Sequence, residues 1–160
     1  MAATTYTQEV ECATPPARLF KALCLDNHNL FPKLLPESFK SVEFIQGDFK
    51  TVGSVKKLSF PEGHPYKYAK HRIDELDVVN FYSKYTTTEG DVLHGKYEHV
   101  VHEIKIVASG TGSICKLSTH FTLVAGATLN EEEIKVGQEK IKKITKTVDE
   151  YLVANPQAYA

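Results

Sequence analysis

An excess of charge of either sign is the first thing this chain lacks. Its formal net charge is −1 at pH 7 over 160 residues. No global basic field of the kind nucleic-acid binders rely on follows from that balance, so a nucleic-acid partner is not expected. Long apolar runs are missing too, and none approaches the ~20 residues a membrane span needs. The opening MAATTYTQEV carries neither the basic stretch nor the apolar stretch of a secretory signal. No Asn-x-Ser/Thr acceptor occurs. Cysteines are few: Cys12, Cys24 and Cys115 make an odd number with no Cys-x-x-Cys. They read as reduced thiols of a cytoplasmic protein. A metal site is not expected, because His99 and His102 are three apart on a strand and point to opposite faces, and no thiol joins them at ligand spacing. No cofactor and no membrane partner are expected. What is present is ordinary for one globular domain over residues 1–160: 42% hydrophobic and 24% charged residues, with no repeat, linker or low-complexity tract.

The longest periodic stretch is 130–154, NEEEIKVGQEKIKKITKTVDEYLVA. Ile134, Gly137, Ile141, Ile144, Val148 and Tyr151/Leu152 recur at spacings of three and four and draw one apolar stripe. Asn130 followed by Glu133 reads as a capping box. Three glutamates open the helix and lysines fill its later turns, as the macrodipole favours. Gly137 interrupts the stripe at a cost of about 1 kcal/mol relative to Ala. It marks either close packing of a strand on the helix or a space kept for something else.

Earlier in the chain, 5–12 reads as a strand. Thr14 is expected to cap a short helix with Pro15 or Pro16 at its first position, and a second short helix follows over about residues 29–35. From 39 to 123 the chain reads as strand and turn: 39–46, 54–60, 66–75, 79–88, 97–108 and 112–123. The short connectors make hairpins in a meander the economical topology. The expected fold is α+β: a seven-stranded antiparallel sheet, two short helices after the first strand, and a long C-terminal helix.

Strand alternation assigns faces. Cys115, Leu117, Thr119 and Phe121 share one. So do Val100, His102, Ile104 and Ile106; Phe81, Ser83, Tyr85 and Thr87; and Lys56, Leu58 and Phe60. Tyr66 and Tyr68 lead one side of 66–75. The apolar face therefore includes Lys56, Ser83, Thr119 and His102. An unpaired buried charge in a solid core costs several kcal/mol, so the pattern points to a cavity with a few polar handles.

Four stretches carry a resemblance to a known family: Pro16–Ala22, Leu25–Lys33, Phe60-Pro61-Glu62-Gly63-His64-Pro65-Tyr66-Lys67-Tyr68 and Glu103–Val107. With them the chain resembles, over essentially its whole length, the class 10 pathogenesis-related proteins of plants, the group that includes the major birch pollen allergen. The resemblance implies a helix-grip fold with a large internal cavity. It further implies an intracellular defence- or stress-related protein that binds flavonoids, cytokinins, brassinosteroids or other phenolics. One departure stands out. The family's usual Gly-x-Gly-Gly-x-Gly loop is here Gly47-Asp48-Phe49-Lys50-Thr51-Val52-Gly53, without the middle glycines that let backbone amides converge on a phosphate. Phe49 and Val52 are expected to cover a cavity mouth or meet a partner.

Four functions compete on this basis. The first is a monomeric carrier or store for hydrophobic small molecules, with Lys56, Phe60, Tyr66, Tyr68, His71, Ser83, Tyr85, His102, Leu117 and Gly137 facing the ligand. The second, implied by the resemblance, is a ribonuclease using Glu98, Asp149 and Tyr151, with Lys56 near the loop; helix-terminal acids beside lysines are more usually surface ion pairs. The third is a cavity enzyme of specialised metabolism with His71 or His102 as base. The fourth, a phosphatase-inhibiting hormone receptor, is disfavoured because 61–65 and 89–96 do not resemble the gate and latch loops of such receptors.

Overall fold

The structure is a computed structural model that describes residues 3–160. Strand β1 (Ala3–Cys12) leads into α1 (Pro16–Phe20), which continues through a π-turn (Lys21–Leu25) into α2 (Asn27–Leu34). Strands β2 (Ser41–Gln46), β3 (Val55–Ser59), β4 (Tyr68–Asp77), β5 (Tyr82–Gly90), β6 (Tyr97–Ser109) and β7 (Gly112–Leu123) follow, and α3 (Glu131–Ala154) ends the chain. The seven strands form one antiparallel sheet in the order β1-β7-β6-β5-β4-β3-β2. It is a meander in which only β1 joins out of sequence. Register shifts interrupt β2 between Phe44 and Gln46 and β4 between Ile73 and Glu75. Such bulges bend a strand and increase its twist, which lets a sheet curl around a helix.

Helix α3 follows its sequence pattern. Ile134, Val148 and Leu152 are buried on the expected stripe, and Asn130 Oδ1 accepts the Glu132 and Glu133 amides at 3.0 and 3.4 Å. Only half of the capping box forms, because the Glu133 carboxylate pairs with Lys96 at 3.1 Å instead. Thr14 does not cap α1. The N-cap is Pro15, with no side-chain cap. The Thr14 hydroxyl is buried without a partner, while its amide and carbonyl are tied to Asp149 and Ser113. Residues 79–81 are a turn and not strand: Asp77 Oδ1 accepts the amides of Val79 and Asn80, each at 3.0 Å, and Phe81 takes φ 56°. A short side-chain acceptor there outcompetes the β preference of Val78 and Val79.

The core has three parts. The largest packs Leu19 and Phe20 of α1 and Val148 and Leu152 of α3 against Val10, Ile106 and Cys115 of the sheet. A second joins Leu35, Phe39, Val42 and Leu58 beside α2, and a third gathers Leu93, Tyr97 and Val100 at the other end. Arg18 locks the C-terminal end of α3. Its guanidinium donates to the carbonyls of Leu152, Asn155 and Ala158 at 2.8–3.1 Å, supplying the donors that helix C-terminal carbonyls lack.

Candidate functional site

Between the first two core clusters lies an internal pocket of about 100 Å³. The π-turn and α2 supply Leu23, Cys24, Asn27 and Phe31; the sheet supplies Lys56, Ile73, Ser83, Tyr85, His102 and Leu117; α3 closes it with Ile141, Ile144 and Thr145. Register explains the convergence. Lys56 pairs with His71, His71 with Thr87, Tyr85 with His102 and His102 with Thr119, so alternate residues of five strands point the same way. The volume is modest beside the large cavity the resemblance implies, because aromatic rings occupy part of the space. Tyr85 is stacked on His102 at 4.7 Å and 18°, and His71 lies 4.9 Å from Tyr85.

The polar groups here are unevenly satisfied. Lys56, only 8% exposed, donates to Asn27 Oδ1 at 2.9 Å and has no carboxylate partner among the described residues. Burial pulls its pKa down to about 8, against a small opposing effect of Cys24. The His102 Nε2 is 3.0 Å from the Thr87 hydroxyl, and burial lowers its pKa to about 4, with His120 adding to the effect. Burial, then His102 and Lys56, hold His71 well below the ordinary histidine value. Both imidazoles are therefore neutral at pH 7. Burial raises the Cys24 thiol to about 12, so it is no thiolate. Among the described residues nothing hydrogen-bonds to the side chains of Ser83 and Tyr85, which line the pocket, or of His71, which does not.

The sequence-derived residues divide. Lys56, Ser83, Tyr85, His102 and Leu117 line the pocket together. His71 lies behind them in the ring stack. Phe60 belongs to the second core cluster and stacks on His64 at 4.6 Å. Tyr66 does not line the pocket; its hydroxyl is 2.9 Å from His94 Nε2, and the Lys140 ammonium lies over its ring. Tyr68 is turned to the outer face: it has the opposite parity to His71, its hydroxyl donates to Glu89 at 2.9 Å, and Lys57 lies over its ring. A Cβ added at Gly137 would meet nothing within 4 Å, so this glycine marks open space and not close packing.

The proposed ribonuclease carboxylates are not brought together. Asp149 is buried, and it accepts the Ala13 and Thr14 amides at 2.9 and 3.0 Å beside Ser113, at the start of β7. Glu98 is exposed at the far end of β6, which pairs with the far end of β7. Some ten strand residues separate the two places, roughly 30 Å at 3.3 Å per residue. Tyr151 instead accepts a hydrogen bond from Lys33 at 3.3 Å.

Sequence reasoning missed Asn27, Cys24 and Phe31, since residues on short helices carry no strand parity to aim them. It also did not foresee that Phe49 of the altered loop stacks on His28 at 5.8 Å and 22°, while Val52 stays exposed. Gly47 in that loop has φ +73°, and a Cβ there would collide with Ser54 Oγ, so this glycine is required.

A seven-stranded sheet gripping one long helix, with a pocket between them, agrees with comparison to known proteins. The profile of the pathogenesis-related protein Bet v 1 family matches residues 1–155. The chain belongs to this family. It is 44% identical over 156 residues to the major strawberry allergen Fra a 1.08 of Fragaria ananassa, covering 97% of each chain. The crystal structure of Ara h 8.0201 superposes with a TM-score of 0.86 at 32% identity, covering 96% of this chain and 100% of that one. Norcoclaurine synthase from Thalictrum flavum, in a complex with dopamine and hydroxybenzaldehyde, gives a TM-score of 0.75 at 20% identity, over 96% of this chain and 88% of that one. That last likeness is one of fold alone. Among the described residues no helix is long and apolar enough to cross a membrane.

Proposed function

We propose that this Bet v 1 family protein binds amphipathic, ring-bearing small molecules in its internal pocket, as a monomeric carrier or store in the plant cytoplasm. Flavonoids, cytokinins and other phenolic metabolites of defence and stress are the ligand classes. One observation carries this reading: Tyr85 and Ser83 present hydroxyls without partners among the described residues to a pocket whose wall mixes apolar side chains with a few polar ones. Burying a polar group without a hydrogen bond costs about 1–3 kcal/mol in proteins, so a pair of them is explained by water or a ligand that completes the bonds. Lys56 adds a cation for a phenolate or carboxylate.

Sites for drug-sized ligands span about 300–1,000 Å³. A pocket of about 100 Å³ takes one ring as it stands, and a three-ring ligand requires the α3 wall at Ile141 and Ile144 to move outward. Calorimetric titration of delipidated protein with a flavonoid, a cytokinin and single-ring phenols tests the reading. Micromolar binding that Tyr85→Phe weakens is expected. Absence of binding across the panel, with the protein folded, refutes it.

A further inference from the structure

Lys56 has an unusual set of neighbours for a lysine. It is more than nine-tenths buried on β3, and its only hydrogen bond among the described residues is to a neutral amide oxygen, Asn27 Oδ1. The titratable groups facing it are Cys24 from the π-turn, His28 from α2 and His71 from β4, with Tyr85 and His102 deeper in the pocket. One carboxylate, Glu103, also lines the pocket, but it is bonded to the Tyr82 hydroxyl and His120 and not to Lys56. The α3 wall contributes only Ile141, Ile144 and Thr145. An amine taken out of water with no anion beside it gives up its proton readily, and a neutral amine is a nucleophile.

We propose that Lys56 captures small aldehydes covalently, as an imine formed inside the pocket. The neutral ε-amine attacks the carbonyl carbon and forms the N–C bond of a carbinolamine. Its hydroxyl then leaves as water, carrying away both amine hydrogens, and the C=N bond remains. Overall, one aldehyde and one amine give one imine and one water, and no redox partner is needed. Neutral His71, paired with Lys56 across β3 and β4, is placed to take the proton shed by the amine and return it to the departing hydroxyl. The pocket's size sets the class of substrate: about 100 Å³ suits a short or single-ring aldehyde. The proposal rests on small molecules entering this pocket, as proposed above.

The test uses benzaldehyde, with benzyl alcohol as a probe of similar shape that has no carbonyl group. The folded protein is incubated with substoichiometric benzaldehyde at pH 7 and trapped with cyanoborohydride, whose hydride reduces the imine to a stable benzylamine. Peptide mass mapping then compares Lys56 with the exposed Lys135 and Lys142 as internal references. A pKa near 8 against an ordinary 10.4 leaves roughly two-hundredfold more free amine at pH 7. The less basic amine is intrinsically the weaker nucleophile, so Lys56 is expected to carry about tenfold more adduct than either reference. Benzyl alcohol should suppress that excess, and Lys56→Met should abolish it without changing the references. Adduct spread over Lys135 and Lys142 with Lys56 unlabelled overturns the proposal. If calorimetry shows that benzyl alcohol enters the pocket while Lys56 stays unlabelled, covalent capture fails and the carrier reading stands. If neither probe enters, both fail. Mapping on the unaltered chain decides the matter even if Lys56→Met does not fold.

Discussion

Replacing Asp149 by Ala should destabilise the protein by about 3 kcal/mol, and the figure follows from its two hydrogen bonds. The carboxylate takes the Thr14 amide at 3.0 Å and the Ala13 amide at 2.9 Å. Thr14 is 1% exposed, so its amide has no access to water once the acceptor is gone. A hydrogen bond to a charged group contributes about 1.5–3 kcal/mol, and an orphaned buried donor loses most of it. Ala13 is exposed, so water can replace the lost partner there at about 1 kcal/mol. For a chain of this length about 3 kcal/mol lowers Tm by roughly 6–12 °C. Asp149→Asn keeps one oxygen acceptor and should lose about half as much. Urea unfolding followed by circular dichroism is the assay, with the midpoint falling and the slope m unchanged. A loss below about 1 kcal/mol for Ala, or equal losses for Ala and Asn, would refute the bracing role. The same result bears on catalysis, since an Asp149→Ala protein with reduced activity would first have to be shown folded.

Gly137→Ala should stabilise by about 1 kcal/mol, read as a rise in Tm of about 2–4 °C, because the new Cβ meets open space and helix propensity improves. His102, with a folded pKa of about 4, binds a proton later than in the unfolded chain. Its contribution is complete above about pH 6.5 and is lost as pH falls toward 4, at up to about 1.4 kcal/mol per pH unit, with His71 acting in the same direction. Urea midpoints across that range should fall less steeply in His102→Gln. Lys56→Met should raise Tm at pH 7, where the native chain must bury an ammonium or neutralise it, by about 1–3 kcal/mol in stability. That gain should shrink from pH 8 to 10.5 as the unfolded lysine also loses its charge. In hydrogen exchange, amides around Ile141 should open more readily than those around Val148, and a pocket ligand should protect the former; equal protection would count against a movable wall.

The fold was readable because its signals are local. Seven alternating runs with turn residues between them leave few topologies other than a meander, and register then carried Lys56, Ser83, Tyr85, His102 and Leu117 to one face without any knowledge of distance. The errors arose where local rules compete. Tyr68 and His71 have opposite parity and could not both point inward; the buried Ala69 and Ile73, which share the parity of His71, decide for His71. Thr14 has the residue type of an N-cap, but Asp149, 135 positions later in the sequence, takes its amide. Cavity volume was not legible, because it depends on how far the rings of Tyr85 and Phe31 fill the space, and that is a matter of rotamers.

The two ends of α3 divide the work of the molecule. Near its C-terminus, Val148 and Leu152 are fully buried, Asp149 ties α3 to Ala13 and Thr14, and Arg18 holds the last carbonyls. Near its N-terminus the helix buries Ile134 and otherwise rests on polar contacts: Asn130 at the cap, Glu133 to Lys96, and the Gln138 carbonyl to Gln8 at 3.0 Å. Between these lies Gly137, with open space beside it. A pocket lined by incompletely bonded polar groups weakens the protein around it, and ligand binding returns stability only in proportion to ligand concentration over Kd. A fold that must survive with the pocket empty therefore needs its anchoring contacts elsewhere. Placing them at the C-terminal end of α3 ties the helix to α1 and β1 through contacts that no pocket ligand has to complete.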